Sequence, residues 1–161
     1  MTELCIDASV AVKLVLKGEP YRSKVRQLLR DCLVNNVRLI APPLFVSEVD
    51  TAIRKRVYDG RLSPADARKA FAGLEQVTVH LVVPPDLRQR AREIAEQFNQ
   101  RTVYDATYAA LADLRGCAFW TADKVFYGCG QGGAAVCQIP AGLSIRRLNA
   151  AYLPRSLLAD C

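Results

Sequence analysis

Four acidic side chains stand at the edges of apolar runs in this 161-residue chain, where the pattern otherwise favours core residues. They are Asp7, Glu48, Asp105 and Asp123. Burying a carboxylate without a positive partner is costly, and neighbouring carboxylates raise one another's pKa. Because hard oxygen ligands suit hard cations, the four acids predict a site for a divalent ion, Mg²⁺ or Mn²⁺.

The overall charge fits an enzyme that acts on a phosphodiester. The chain has 22 Lys and Arg against 16 Asp and Glu, a formal charge of +6, and only 12 acids remain when the four candidates are set aside. Cations would hold the nucleic-acid backbone, and the metal held by the carboxylates would activate water. A modest positive charge also aids solubility, and composition alone favours that simpler interpretation.

Other kinds of site are poorly supported by the composition. Six cysteines occur without a C-x-x-C pair and His80 is the single histidine, so neither a zinc site nor a Ser-His-Asp triad is expected. Lys13 and Lys17 interrupt the first apolar stretch, which excludes a secretory signal and a membrane span. We therefore expect a cytoplasmic protein with reduced thiols.

The alternation of short apolar runs with helical patterns predicts a single domain over residues 1–161, a three-layer α/β/α fold with a mainly parallel sheet. Strands are predicted at residues 4–6, 37–41, 77–83, 118–120 and 144–147. Helices are predicted at residues 8–16, 19–33, 42–58, 63–75, 84–99 and 102–115. The glycine-rich segment 128–142 is predicted to be a loop.

This topology predicts that the four acids meet. Ligands bind outside the carboxyl ends of parallel strands, and Asp7 and Asp123 each follow a strand directly. Glu48 lies about a turn and a half inside its helix and Asp105 in the first turn of another, so both must reach the same edge from helices. Lys13, one turn beyond Ser9, is the basic residue best placed for the mouth of such a pocket.

Each acid also has a purely structural interpretation. Asp7 suits a helix N-cap, and taken alone that is the better interpretation. Glu48 would lie on a solvated helix face, although its apolar neighbours favour burial. Asp105 and Asp123 would each favour the positive end of a helix dipole. These alternatives weaken when the four are taken together, since they leave the common order and spacing to chance.

Four segments carry a resemblance to a known family: Ile6 to Ser9, Ser47 to Lys55, Tyr104 to Ala112 and Thr121 to Phe126. In order, spacing and element type they resemble the PIN-domain nucleases, and more closely the toxin ribonucleases of the VapBC toxin–antitoxin type. The resemblance runs from about residue 3 to residue 126 and, more loosely, on to residue 148. The glycine-rich segment that follows is longer than the family pattern leads us to expect.

The resemblance implies a metal-dependent endoribonuclease, the toxin of a toxin–antitoxin pair. Asp7, Glu48 and Asp105 would bind the metal with Asp123 as the fourth acid, while Ser9 and Thr121 would orient the carboxylates. It also implies a homodimer and a groove for the antitoxin's tail, formed by apolar stripes on two helices: Val25, Leu28, Leu29, Cys32 and Ala67, Ala70, Phe71, Leu74. From the residues alone, these stripes are most often core.

Three rival functions remain at this stage. A non-catalytic module that binds nucleic acid or protein would use the same scaffold, since fold does not fix function. A PIN nuclease of RNA maturation would keep the chemistry without the antitoxin. A phosphoryl-transfer or receiver domain ranks last, because Ser9 stands where a phosphatase has its second Asp, and residues 82–84 lack the receiver's lone Asp.

Overall fold

A five-stranded sheet forms the centre of the protein, described here from a computed structural model that defines residues 2–122 and 137–139. The spatial order of the strands is β3-β2-β1-β4-β5. Strands β1 to β4 are parallel, and β5 pairs antiparallel with β4. The bounds are β1 Glu3–Ile6, β2 Arg38–Ala41, β3 His80–Leu81, β4 Ala118–Thr121 and β5 Cys137–Ile139. The predicted, mainly parallel α/β sheet is confirmed.

The three central strands are buried because their sequences are apolar without alternation. In β1, β2 and β4 the last three residues of each strand are all buried. Parallel strands covered by helices on both faces have this composition, since neither face of the sheet meets water. The flanking helices are α1 Ala8–Val15, α2 Arg22–Val34, α3 Leu44–Tyr58, α4 Pro64–Leu74, α5 Leu87–Gln97 and α6 Tyr104–Arg115.

Local signals fix the ends of the helices beside the cleft described below. Ser63 caps α4, because its Oγ accepts a hydrogen bond from Asp66 N at 3.0 Å, and Pro64 opens the first turn. Helix α3 ends at Tyr58 with Asp59 as its C-cap, and Gly60 follows with φ +71°. A positive φ is accessible to glycine without a steric penalty, which explains the stop. The sequence predicted both helices to within two residues.

One strand prediction and one loop prediction were wrong. Strand β3 covers His80 and Leu81 instead of 77–83, and both residues are exposed. It lies at the sheet edge, and Pro84 lacks the N–H that would extend the ladder. The segment 128–142, predicted as a loop, contains β5, which pairs with the open edge of β4. The predicted strand at 144–147 lies outside the described residues.

The apolar stripes of α2 and α4 are mainly core. Val25, Leu28, Cys32, Ala67 and Ala70 are all buried. Three residues of the stripes remain half-buried and border an apolar cavity of about 370 Å³ between the helices and the sheet: Leu29, Phe71 and Leu74. Any groove on this face is therefore narrower than the stripes suggested.

The described cysteines are free thiols, and the described helices are short. Cys5, Cys32 and Cys117, the cysteines whose side chains the structure describes, are free and buried. Burial raises the pKa of the Cys32 thiol to about 11, which favours the neutral form. Over the described ranges, every helix falls short of the length and hydropathy that crossing a bilayer requires.

Candidate active site

A cleft of about 1150 Å³ opens at the carboxyl edge of the sheet and brings three of the four predicted acids together. Asp7 follows β1 directly, Glu48 projects from α3, and Asp105 projects from the first turn of α6. All three line the same cleft. Asp123 lies outside the described residues, so its place in the site stays a prediction.

Asp7 is held by three hydrogen-bond donors. Its Oδ1 accepts from Ser9 Oγ at 2.5 Å and from Val10 N at 3.1 Å, and its Oδ2 accepts from Thr121 Oγ1. Ser9 Oγ in turn accepts from Ala122 N at 2.9 Å, which ties the end of β1 to the end of β4. Asp7 is therefore the N-cap of α1 and a cleft residue at once, so the two interpretations of Asp7 are compatible.

Asp7 is only 7% exposed. Burial raises its pKa, and the hydrogen bonds from Ser9, Thr121 and Val10 offset that rise only in part. A buried anion of this kind gains free energy from any cation that reaches it. The hydrogen bonds from Ser9 and Thr121 that the resemblance implied are present.

Glu48 is half-buried and is oriented by a tyrosine. Tyr108 Oη donates to Glu48 Oε2 at 2.5 Å, and the fully buried Tyr108 ring stacks on Phe119 with centroids 5.9 Å apart. Burial raises the pKa of Glu48, the Tyr108 hydrogen bond lowers it, and the charges of Asp105 and Asp7 raise it again. The Glu48 carboxylate therefore lies close enough to those of Asp105 and Asp7 to be repelled by both.

Asp105 stands in the first turn of α6 without being its N-cap. The N-cap is Val103, whose side chain offers no capping hydrogen bond. The position still suits the positive end of the helix dipole. Asp105 therefore adds negative charge to the cleft at a position where the helix dipole favours an anion.

The donor set fits a hard divalent cation, although the described residues do not complete a site. Within residues 2–122 and 137–139, no three His, Cys, Asp or Glu side chains are grouped tightly enough to hold a metal ion. Three carboxylates nevertheless share one cleft, and two of them have raised pKa values. Magnesium keeps several waters and needs only one or two protein carboxylates, so an open oxygen set of this type suits it.

Lys13 lies behind the wall of the cleft. Its Nζ is 3.5 Å from Glu19 Oε2, and Arg56 donates to Glu19 Oε1 at 2.8 Å. Glu19 and Arg56 line the cleft, whereas Lys13 is absent from the described residues that do so. Lys13, the basic residue expected at the pocket mouth, thus forms an ion pair with Glu19 and does not itself line the described cleft.

Two features of the site escaped sequence reasoning. The first is Tyr108, which lies in the segment Tyr104 to Ala112. No role in the site was predicted for it, because a buried tyrosine on an apolar helix usually packs in the core. Its position three residues after Asp105 places both on one helix face, which was a usable signal. The second feature is the ion-pair network of Lys13, Glu19 and Arg56. It joins α1, α3 and the loop between α1 and α2, and no local sequence pattern predicts it.

Tyr108→Phe is expected to lower the free energy of unfolding by about 1–2 kcal/mol, because the buried hydroxyl loses a hydrogen bond to a carboxylate. Urea unfolding measures the change. Tyr58→Phe is the matched control, since Tyr58 is 82% exposed and its loss of a hydroxyl should be neutral. Equal stabilities of the two variants would contradict a structural role for the Tyr108 hydrogen bond.

Comparisons with known proteins agree with this geometry. A model of the PIN domain family matches residues 4–130. Ribonuclease VapC9 of Mycobacterium tuberculosis and VapC ribonuclease Mb0985 of Mycobacterium bovis are each 30% identical over 137 residues, 85% of this chain and 98% of theirs.

Two solved structures share the fold. The first is Mycobacterium tuberculosis VapC20, a Sarcin-Ricin loop cleaving toxin, with a TM-score of 0.53 and 19% identity over 71% of this chain and 84% of that one. The second is PAE2754 from Pyrobaculum aerophilum, with a TM-score of 0.51 and 24% identity over 72% and 77%. At these identities the likeness concerns the fold alone.

Proposed function

The chain belongs to the PIN-domain family, and on that premise we propose that it is a metal-dependent endoribonuclease, the toxin of a toxin–antitoxin pair. One observation carries the proposal: Asp7, Glu48 and Asp105 converge on a single cleft at the carboxyl edge of the sheet. Similarity to VapC ribonucleases along 98% of their length supports RNA as the substrate.

In this proposal Asp7, Glu48 and Asp105, together with Asp123, hold Mg²⁺ or Mn²⁺. When bound, the ion supplies a water of lowered pKa and stabilises charge that develops on the phosphodiester. The protein's own residues prepare the position: Ser9 and Thr121 fix the Asp7 carboxylate. On α3, Glu48 accepts a hydrogen bond from Tyr108, which orients its carboxylate. Because these groups are oriented by folding, little reorganisation is needed during the reaction.

Asp105→Asn is expected to lower RNA cleavage at least about 100-fold, since outer-shell changes at metal sites already cost about 10- to 100-fold. The assay follows purified protein on RNA with Mg²⁺ or Mn²⁺, and a parallel sample contains a chelator. Asp50→Asn is the control, because Asp50 is an exposed acid on α3 that does not line the described cleft. Full activity of Asp105→Asn would reject the proposed site.

The rival functions give different results in the same assay. A non-catalytic binding module would bind RNA or a protein equally well with a chelator present and after the acidic substitutions. A nuclease of RNA maturation would cleave RNA in a metal-dependent way, but its expression would not arrest growth in a manner relieved by a neighbouring gene product.

The family resemblance also supports a protein partner and a second copy of the chain. We propose that the apolar cavity bordered by Leu29, Phe71 and Leu74 receives part of an antitoxin tail. We further propose a homodimer, the commonest symmetric assembly. Light scattering measures the mass of the purified protein, alone and with the antitoxin. A monomeric mass in both samples would reject the homodimer and the antitoxin complex.

A further inference from the structure

A second cavity lies at the edge of the sheet where the parallel strands begin, opposite the edge that carries the acids. Its volume of about 790 Å³ falls within the roughly 300–1,000 Å³ that is typical of small-molecule sites. It is bordered by Thr2, by Arg38 and His80, the first residues of β2 and β3, and by the end of α2. Among the described residues that line this amino-edge cavity, none is Asp or Glu.

Arg38 is the arginine of the amino-edge cavity, and the nearest carboxylate is already bound by another arginine. Arg115 donates to both oxygens of Glu3, at 2.8 and 2.9 Å. Arg38 Nη1 is 3.6 Å from Glu3 Oε1, beyond the roughly 2.7–2.9 Å of a charge-assisted hydrogen bond. The hydrogen bond from Arg115 is the main cause of the lowered pKa of Glu3, and the charge of Arg38 is a smaller cause. Two guanidinium groups therefore share one carboxylate, which leaves an excess of positive charge.

The Arg38 guanidinium also has an unused hydrogen-bond donor. Its Nε is buried and has no hydrogen-bond partner in the part of the chain that the structure describes. A buried donor without a partner is unfavourable, and more so when it carries charge. The Arg38 side chain is nevertheless 37% exposed and lines the cavity. Because the donors of a guanidinium form a planar fork, an oxyanion can accept from Nε and a terminal nitrogen at once.

Two further side chains can donate to the same anion. The register of the parallel strands places His80 opposite Ile40, so Arg38, two residues before Ile40, lies on the same sheet face as His80. Asn36 stands at the turn between α2 and β2 with φ +53°, a conformation that asparagine tolerates. Both residues are exposed and line the cavity. An imidazole N–H and an amide NH₂ are suitable donors to an oxyanion.

Capping reduces the negative potential that the end of α2 would otherwise add. The unpaired carbonyls of a helix's last turn carry partial negative charge, which disfavours an anion nearby. Here the backbone N–H and the side-chain amide of Asn35 both donate to Asp31 O, at 3.0 and 2.8 Å. Val37 N donates to Cys32 O at 2.8 Å. These bonds occupy carbonyls that would otherwise repel a bound anion.

One wall of the amino-edge cavity is apolar. Leu33 lines it from the last turn of α2 and is 80% exposed. The half-buried Val37 and the buried Cys32 continue this wall. Covering an exposed leucine with an apolar group removes that surface from water, which is favourable. A ligand with an apolar body next to its charged group therefore matches this cavity better than a bare inorganic ion does.

From these observations we infer that the amino-edge cavity is a binding site for a small organic anion. A carboxylate or phosphate group of the ligand binds Arg38, with His80 and Asn36 as further donors, and its apolar body packs on Leu33. Among the described residues, none lines both this cavity and the cleft of the acids. The inference therefore goes beyond the proposed function and does not depend on it.

The test uses three probes that share one aromatic ring. Benzoate and phenyl phosphate carry the two anionic groups, and benzamide is the uncharged counterpart of benzoate. Each is titrated into metal-depleted protein in metal-free buffer, so that no ion in the cleft can recruit a phosphate. Amide resonances of ¹⁵N-labelled protein report the position: Asn36, Arg38 and His80 for the amino-edge cavity, and Glu48 and Asp105 for the cleft.

At least one of the two anions should shift the resonances of the amino-edge cavity and saturate with a Kd on the order of 1 mM, as expected for a ligand of this size. Saturation by one anion alone supports the inference and identifies the anionic group that the site prefers. Benzamide should shift the same resonances weakly and without saturation. No saturation by either anion, shifts confined to the cleft, or benzamide binding as tight as benzoate would overturn the inference.

Variants test the residues named. Arg38→Gln should raise the Kd of the bound anion about 10- to 100-fold, because a charge-assisted hydrogen bond is lost. Arg26→Gln, which removes the same charge from an exposed position of α2, should leave the Kd unchanged.

Asn36→Asp guards against a folding defect in Arg38→Gln. Aspartate also tolerates the positive φ, and its charge should weaken binding of both anions without changing the thermal melt. An unchanged Kd in Asn36→Asp, or equal losses in Arg38→Gln and Arg26→Gln, would overturn the site. RNA cleavage by the wild-type protein is measured separately, and its absence would reject the nuclease proposal while leaving these titrations decisive.

Discussion

Asp7→Asn is expected to lower RNA cleavage about 1,000-fold while the fold stays intact. A divalent ion stabilises the reaction's developing charge by several kcal/mol, and each 1.4 kcal/mol or so is a factor of ten in rate. Asp7 is the most buried of the three described acids, and it accepts hydrogen bonds from Ser9, Thr121 and Val10, so under the proposed function its charge should contribute most to holding the ion. Replacing it with an amide of nearly equal volume removes that charge.

The fold should tolerate this substitution because asparagine satisfies the same partners. Asn is as good an N-cap as Asp, so its oxygen can accept from Val10 N. The hydroxyl of Thr121 can rotate to accept from the new amide nitrogen. In addition, the variant no longer buries an anion whose pKa burial has raised. Its melting temperature without metal should therefore equal or exceed that of the wild-type protein.

Cleavage rates and thermal melts test both parts of the prediction. Added Mg²⁺ should raise the melting temperature of the wild-type protein, since a ligand that binds only the native state stabilises it. The same addition should leave Asp7→Asn unchanged, and Asp50→Asn should behave as wild type. Retention of more than about a tenth of the wild-type kcat/KM by Asp7→Asn would mean that Asp7 does not hold the catalytic ion.

The sequence predicted the elements that follow from burial alone. Strands β1, β2 and β4 read as continuous apolar runs because helices cover both faces, and the structure has them within one residue of prediction. Strand β3 was predicted too long. It lies at the sheet edge, where it pairs with β2 alone, and Pro84 cannot donate the hydrogen bond that would extend the ladder. Pairing of β5 with β4 depends on contacts between distant segments that no local pattern encodes.

Much of the candidate site followed from one topological rule. The carboxyl ends of parallel strands meet at one edge, so acids that follow strands, or lie in the first turns of helices there, must gather. That rule anticipated the shared cleft of Asp7, Glu48 and Asp105. It could not anticipate the pairing of Arg56 with Glu19 or the Tyr108 hydrogen bond to Glu48, which span 37 and 60 residues. Those contacts depend on side-chain packing between helices.

Removal of divalent ions is expected to stop RNA cleavage completely and to make stability depend on the ionisation of the site. Burial raises the pKa of Asp7. Burial, followed by the charges of Asp105 and Asp7 and opposed by the Tyr108 hydrogen bond, raises the pKa of Glu48. The folded protein therefore binds protons at these groups more tightly than the unfolded chain. Their stabilising contribution is present below a pH of about 4, where both states are protonated, and is lost as the pH rises through the raised pKa values.

Glu3 acts in the opposite direction and has to be separated from this effect. Two hydrogen bonds from Arg115 lower its pKa, so its contribution is present at neutral pH and lost in acid. The double variant Asp7→Asn with Glu48→Gln keeps Glu3 and removes the two groups of interest. The difference in melting temperature between the double variant and the wild-type protein isolates the site.

Circular dichroism melts of metal-depleted protein between pH 4 and pH 7 should show that this difference grows with pH in favour of the double variant. A destabilisation of about 1 kcal/mol lowers the melting temperature of a domain of this size by about 2–4 °C, which is measurable. Mg²⁺ or Mn²⁺ added at pH 7 should raise the wild-type value and restore cleavage, because the cation replaces the protons that the carboxylates have lost. A difference that stays constant with pH would show that folding does not raise the pKa values of Asp7 and Glu48.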